Sequence, residues 1–327
     1  MIKPNIKRIL LIVVLPLVFA LIVHSLFNLE SLNGLFTIMS VSFIFLVPFG
    51  IGALTIFLSG IESVKKMSYR VFTPWIPILA FMLLTMLASL EGWACWLMVL
   101  PLFLGASSLG GMVAGHYKLK KHRNENTYIS VIALLPLLAS PVERYIGDHP
   151  SVYKAYTYID IKADKSEIWP NVTRVRAIKK DEDKGWLTEK LGFPRPIRAE
   201  LNYNGVGGYR KAIFDKGLIF HEEVTDYKDQ QEMSFTIKAN PYEIQSTTMD
   251  EHVVIGGRYF DVMDGTYQLQ QLNATTYRLY LYSHFKLTTT FNLYASLWAE
   301  WIMKDIQNNI LQVIKERSEL KSIVAMR

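Results

Sequence analysis

The sequence predicts an α-helical transmembrane bundle over residues 1–146, followed by an α+β domain over residues 147–327. Long apolar runs with few charges fill the first part, whereas most of the Asp, Glu, Lys and Arg lie in the second. Period-two alternation in the second part is typical of β-strands. A long aromatic helical pattern closes the chain. The 327 residues are enough for two domains.

The apolar part predicts a multi-pass membrane region, because about 20 apolar residues cross a bilayer as a helix. The fifth run is short, at 14 residues. With only four crossings this run would lie along the surface or pack on the bundle. The predicted helices are 9–27, 35–60, 73–90, 93–115 and 128–141.

Positive charges predict the orientation of these helices. Lys65, Lys66 and Arg70 lie between the second and third helices, and another basic cluster, at 118–123, lies between the fourth and fifth. Basic loops favour the cytoplasmic side. We therefore expect a cytoplasmic N-terminus and an integral protein of the cell membrane, a bacterial inner membrane. Five crossings place the α+β domain outside the cytoplasm, and four would place it inside.

The helical part is expected to serve as an anchor. His24, Glu62 and Glu91 lie near the ends of the predicted helices, where residues of the membrane interface are expected. The stretch 105–115, GASSLGGMVAG, is rich in small residues and suits close helix packing. A pore-lining role is the alternative for this stretch.

Several function classes are disfavoured by composition and motifs. The net charge of +6 arises largely from the N-terminus and two short loops, so we expect no nucleic-acid partner. Cys95 is the only cysteine, which excludes an intrachain disulfide. No His pair stands at metal-ligand spacing, and no G-x-S-x-G, P-loop or dinucleotide motif occurs. We expect no metal and no cofactor.

The second part begins with an alternating strand that ends at Ile161. Asp164 is a suitable N-cap for a short helix that holds Trp169, since Glu167 follows at capping-box spacing. A second short helix, 184–192, ends at a glycine. An antiparallel meander follows, with a further short strand possible at 252–256. The predicted strands are 198–203, 207–215, 217–227, 231–239, 265–273 and 275–287.

The chain closes with a long amphipathic helix. Large apolar residues from Phe291 to Ile314 recur at three- and four-residue spacing. Lys304, Gln307 and Lys315 mark the opposite face, which we expect to be polar. The economical arrangement is an antiparallel sheet with this helix in its concavity.

Three stretches carry a resemblance to a known superfamily. They are IDIKADKSEIWPNV at 159–172, the Gly-basic-Gly-Glu strand pattern of 205–237, and the aromatic C-terminal helix. Over about 150–318 the sequence resembles the START-like superfamily, known as SRPBCC and also as Bet v 1-like or polyketide cyclase-like, here fused to an N-terminal membrane region. The resemblance implies the helix-grip fold, a curved sheet wrapped on the long helix around an apolar cavity. Relatives bind lipids, sterols or polyketides, and a few catalyse cyclisation or hydrolysis.

Candidate ligand-binding residues follow from alternation and from this resemblance. If Phe220 and Glu222 face inward, Glu222 opposes Arg210 on the preceding strand, either as an anchor for a ligand head group or as a structural ion pair. Trp169 would wall the cavity mouth, or be plain core packing.

Further candidates complete the set. Tyr259 would help Arg210 and Glu222 to orient a polar end, and Trp298 belongs to the aromatic helix. His252, in the irregular segment, is an alternative to Glu222 as an acid–base group.

The primary hypothesis is a non-enzymatic, membrane-anchored binding domain for a hydrophobic small molecule or lipid, with no catalytic residue assigned. A second hypothesis is a cyclase or hydrolase on the same fold, which requires a cavity-facing group with a perturbed pKa. A third is a protein-interaction module, for which the sequence names no partner. Fold alone cannot choose among them.

Overall fold

A computed structural model describes residues 6–120, 125–147, 149–240 and 254–325. The chain forms two compact units. The first comprises Met1–His149 with Thr289–Phe291, and the second comprises Pro150–Thr288 with Asn292–Arg327.

The first unit is helical. It also contains a 3-10 turn at Glu30–Leu32 and a π-helical segment at Ser42–Leu46 that continues directly into the helix beginning at Val47. The helices are α1 Ile6–Phe27, α2 Val47–Leu58, α3 Ile61–Val64, α4 Met67–Phe72, α5 Trp75–Leu87, α6 Trp93–Leu119 and α7 Glu125–Ile146.

Three helical stretches of the described residues are long and apolar enough to cross a membrane: Leu10–Phe27, Met67–Leu87 and Trp93–Leu119. They leave large apolar side chains such as Ile22 and Leu83 exposed. The second predicted span, 35–60, contains a shorter apolar helix over Ser42–Leu58. The fifth, 128–141, lies within α7 and is not one of the three.

A buried polar pair lies in this unit. His24 Nε2 lies 3.0 Å from Glu91 Oε1, and both side chains are almost fully buried. The rings of Phe43 and Phe81 flank the imidazole, with centroids 5.9 and 5.7 Å away. Each residue provides the hydrogen-bond partner that permits burial of the other. Both lie at helix ends, and their expected depth at the membrane interface stays a prediction.

Helices α2 and α6 approach closely, as the small residues of 105–115 predict. A Cβ atom on Gly110 would lie 1.9 Å from the Phe49 carbonyl oxygen, and one on Gly52 would lie 1.9 Å from that of Ser107. No side chain fits at these two positions, so glycine is what allows the backbones to meet.

The second unit contains one antiparallel sheet in the order β1-β8-β7-β5-β4-β3-β2, with β6 paired to the end of β8. The strands largely follow the predicted ones, and β6 is an addition. The sequence makes a short strand possible at 252–256. Among the described residues of that stretch, only Ile255 forms a β-bridge, and its partner is Phe260. The strands are β1 Ser151–Ile161, β2 Pro196–Leu201, β3 Tyr209–Phe214, β4 Ile219–Lys228, β5 Glu232–Ala239, β6 Phe260–Val262, β7 Asp264–Gln271 and β8 Tyr277–Leu287.

Two short helices connect β1 to β2. Helix α8, Lys165–Thr173, begins after Asp164, whose side chain accepts a hydrogen bond from the Ser166 amide at 2.9 Å. Helix α9, Trp186–Leu191, ends where Gly192 adopts a left-handed conformation with φ 69°. The predicted cap and stop signals therefore operate as such.

The last helix, α10, extends over Asn292–Ala325 and packs on the sheet. Its buried face includes Ile302, Leu311, Val313 and Ile314. A curved antiparallel sheet with a long C-terminal helix is the arrangement that the sequence predicts, and it fits the helix-grip fold.

Candidate functional site

A small cavity of about 70 Å³ lies in the second unit, between the sheet and α10. Strands supply most of its wall, and α10 supplies four residues. Most of the lining is apolar. The residues used below are Ala212, Phe220, Phe235, Ile237, Met303, Ile306 and Ile310 among the apolar ones, and Arg210, Glu222, Tyr267, Ser283 and Gln307 among the polar ones.

Strand alternation places the polar and apolar groups on this wall. Arg210 and Ala212 share one face of β3, and Phe220 and Glu222 share one face of β4. The register pairs Arg210 with Glu222 and Ala212 with Phe220 directly across the two strands. Directly opposed side chains in a sheet contact each other, so the pairing brings the two charges together.

Arg210 and Glu222 form a buried ion pair. Each is 3% exposed, and the Arg210 guanidinium donates a hydrogen bond to a Glu222 carboxylate oxygen. Arg210 Nε also donates to the Thr173 carbonyl at 3.3 Å. The guanidinium carbon lies 5.3 and 5.8 Å from the ring centroids of Phe235 and Tyr267. Aromatic faces and a carboxylate thus replace the water that this cation loses.

Burial changes the titration of the neighbouring groups. It raises the pKa of Glu222, and the positive charge of Arg210 opposes that rise. Burial likewise raises the pKa of the Tyr267 phenol, and the positive charge of Arg210 opposes this rise as well. Tyr267 is therefore a neutral hydroxyl at physiological pH. This part of the cavity wall presents the Glu222 carboxyl, the Arg210 guanidinium and the Tyr267 phenol.

A second polar group enters the cavity from α10. Gln307 is 3% exposed, and its Nε2 donates to the Ser283 hydroxyl at 3.1 Å. Its Oε1 lies 3.0 Å from the Thr157 hydroxyl. The expectation that Gln307 lies on the polar, outer face of the helix is wrong, because these two hydroxyls of β1 and β8 satisfy a buried amide.

The remaining predicted site residues are distributed differently. Phe220 lines the cavity beside Glu222. Trp169 is buried on α8, where its Nε1 donates to the Tyr227 hydroxyl at 3.0 Å. Among the described residues, the lining does not include Trp169, Tyr259 or Trp298. His252 lies outside the described residues.

Tyr259 and Trp298 have other neighbours. The Arg258 guanidinium carbon lies 5.3 Å from the Tyr259 ring centroid, just before β6. Trp298 packs edge-on against Trp301, at 5.4 Å, on α10. Neither contact involves a cavity-lining residue.

Sequence reasoning missed Tyr267, Ser283 and Gln307. Tyr267 and Ser283 lie on buried faces of β7 and β8, so alternation was a usable signal for both. No comparable signal marked Gln307, because a glutamine beside lysines on a helix is ordinarily solvated.

The cavity is small for an organic ligand. One water molecule requires about 10–15 Å³ of cavity volume, so a cavity of about 70 Å³ has room for a few water molecules. Pockets for drug-sized ligands measure about 300–1,000 Å³. Among the residues that the structure describes, no cluster of three or more His, Cys, Asp or Glu side chains is placed to hold a metal ion.

Comparison with known proteins gives structural likeness alone. No protein-family model matches the chain, and no curated protein matches it. A protein from Nitrosospira multiformis is 12% identical with a TM-score of 0.32, covering 52% of this chain and 99% of its own. Norcoclaurine synthase from Thalictrum flavum, solved with a transition-state analogue, is 12% identical with a TM-score of 0.32, covering 53% and 99%. The matched structures have Bet v 1-like folds with a curled antiparallel sheet.

Proposed function

We propose that the second unit is a membrane-anchored binding domain for a hydrophobic small molecule, held between the sheet and α10. One observation carries the proposal: a mostly apolar cavity with a fully buried Arg210–Glu222 pair on its wall. Apolar walls with a few oriented polar groups are the usual composition of small-molecule sites. Apolar burial would supply most of the affinity, and the ion pair would orient the polar end of the ligand.

The size of the cavity limits the ligand class. A space of about 70 Å³ does not admit a sterol or a two-chain lipid, so such a ligand requires the sheet and α10 to separate on binding. A compact aromatic or short-chain molecule requires less widening. Ligands of either kind partition into bilayers, which is where an anchored domain would encounter them.

The test is native mass spectrometry of the full chain released from detergent, with identification of any retained small molecule. Ala212 lines the cavity, so Ala212→Leu fills it. Lys211→Leu is the matched control, since the same side chain then stands one residue earlier on the same strand and on the opposite face. The proposal predicts an adduct in the wild type and in Lys211→Leu, and none in Ala212→Leu.

Glu222 favours a second candidate, an enzyme of the cyclase or hydrolase type. A carboxyl whose pKa is raised by burial, on the wall of a cavity, is suited to proton transfer. Glu222→Gln would then retain unreacted substrate where the wild type retains product. A retained compound of different mass in the two proteins favours the enzyme. The same mass in both favours binding alone.

A further inference from the structure

The first turns of α10 present a row of large apolar side chains to solvent. Leu293, Leu297 and Trp301 stand four residues apart, so they share one helix face. They are 85%, 51% and 56% exposed. Trp298 packs edge-on against Trp301 at 5.4 Å. We call these four residues the α10 stripe.

Another exposed tryptophan, Trp186, lies on the neighbouring helix α9. It is the first residue of α9 and is 62% exposed. Asp305, one turn beyond Trp301, accepts hydrogen bonds from the Thr188 amide at 2.9 Å and the Thr188 hydroxyl at 2.7 Å. These bonds hold α9 beside α10. Lys190 Nζ lies 5.7 Å from the Trp186 ring centroid, so a cation borders the aromatic surface.

The stripe is not explained by the fold or by the cavity. The α10 residues that line the cavity, Met303, Ile306, Gln307 and Ile310, are all further along the helix. Scattered single apolar residues on a surface are ordinary, but a contiguous group that includes tryptophans indicates a contact surface.

Three observations point to lipid as the occupant. Three helical stretches of the described residues are long and apolar enough to cross a membrane, and the stripe begins two residues after Phe291, which belongs to the helical unit. Tryptophan and leucine on one helix face, bordered by lysine, is also the composition of helices that lie in the plane of the water–lipid boundary.

We propose that the α10 stripe and Trp186 rest in the lipid headgroup region of the bilayer that anchors the chain. The tryptophan rings would lie at the boundary between headgroups and acyl chains, with Lys190 toward the phosphates. This inference is independent of the cavity: it holds whether or not the second unit binds a small molecule.

The test uses the full chain in phosphatidylcholine–phosphatidylglycerol vesicles, with single cysteines in a Cys95→Ser background. An environment-sensitive fluorophore is attached at Leu293→Cys or Leu297→Cys. The water-exposed controls are Val206→Cys and Tyr158→Cys, on residues that are 61% and 52% exposed in the second unit. Leu83→Cys, at an exposed position in α5, is the lipid-facing control. All five labels sit on exposed residues, so the fold need not rearrange around them.

Quenching by nitroxide-labelled lipids and by iodide distinguishes the outcomes. The proposal predicts at least two-fold stronger lipid quenching at 293 and 297 than at 206 and 158, with weaker iodide quenching. Equal quenching at stripe and water-exposed controls would overturn it. Protection from iodide without lipid quenching would also overturn it, because a protein surface would then cover the stripe.

Discussion

At the residue scale, the Arg210–Glu222 pair is a buried ion pair on the wall of the cavity. Both side chains are 3% exposed and directly opposed on neighbouring strands. A buried ion pair is weak evidence of net stabilisation, because desolvation offsets the attraction. Its position on a cavity wall, where apolar residues would pack equally well, is what suggests a role in ligand orientation.

Removing one member of this pair should be costly. Arg210→Met leaves the Glu222 carboxyl buried without its cation, and we expect a loss of about 3–5 kcal/mol in the free energy of unfolding. The double variant Arg210→Met/Glu222→Met should recover most of that loss. Guanidinium unfolding of the detergent-solubilised protein, followed by β-sheet circular dichroism, measures both. A loss in the double variant as large as in the single one would contradict the account.

Acid sensitivity should arise in part from Glu182. Hydrogen bonds from Arg317 on α10, at 2.8 Å, lower the pKa of this carboxyl from 4.5 to about 2. A folded-state pKa below the unfolded one contributes stability above pH 4.5 that is lost as the pH falls toward 2. The contribution is at most about 3–4 kcal/mol, since one pKa unit corresponds to about 1.4 kcal/mol.

Unfolding measured between neutral pH and about pH 2.5 checks this linkage. Glu182→Gln and Arg317→Met should each flatten the decline in stability, and the double variant should flatten it no further. An unchanged slope in Glu182→Gln would show that other carboxyls carry the effect.

Residue-level prediction from sequence succeeded where periodicity was strong. Strand alternation sufficed to pair Arg210 with Glu222 and to place Phe220 beside them. It failed for Gln307, and it did not indicate that His24 and Glu91 form a buried pair. Their burial depends on partners that are 24, 67 and 150 residues away along the chain, and no local pattern encodes such distances.

At the element scale, the caps and stops of α8 and α9 and most strands could be predicted, since each depends on neighbouring residues. The strand β6 could not. It has three residues, pairs with the end of β8 and forms one further bridge from Phe260 to Ile255, so it exists because of the sheet and not because of its own sequence.

The close contact of α2 with α6 gives a prediction with a built-in control. Gly110→Ala should lower the thermal stability of the helical unit in detergent, because the added Cβ would meet the Phe49 carbonyl. Gly105→Ala lies on the same helix with no neighbour within 4 Å, and alanine favours helix by about 1 kcal/mol over glycine. We expect this control to be neutral or stabilising. Equal losses in both variants would refute the role of close approach.

At the scale of the whole molecule, an apolar helical unit and an α+β unit were predictable because their compositions differ so sharply. The number of crossings was less accessible, since residues 35–60 and 128–141 contain helices outside the three of clear spanning character. An apolar helix can be covered by other helices of the bundle as well as by lipid, so apolarity alone does not decide whether these two segments cross the membrane.

The proposed orientation has a direct test in intact cells. In the Cys95→Ser background, Val206→Cys should react with a membrane-impermeant maleimide, since it is 61% exposed in a unit proposed to lie outside the cytoplasm. Lys66→Cys, in the basic loop, should react only after lysis. The reverse pattern would place the α+β unit in the cytoplasm.

The central claim is that the cavity between sheet and α10 holds a small apolar molecule. The most direct measurement is the native mass of the full chain after the detergent is stripped, for the wild type, Ala212→Leu and Lys211→Leu. The account predicts one stoichiometric adduct in the wild type and in Lys211→Leu, and a bare mass in Ala212→Leu. A bare mass in all three, with no uptake of added lipids or aromatic compounds, would contradict it and favour a protein-interaction role.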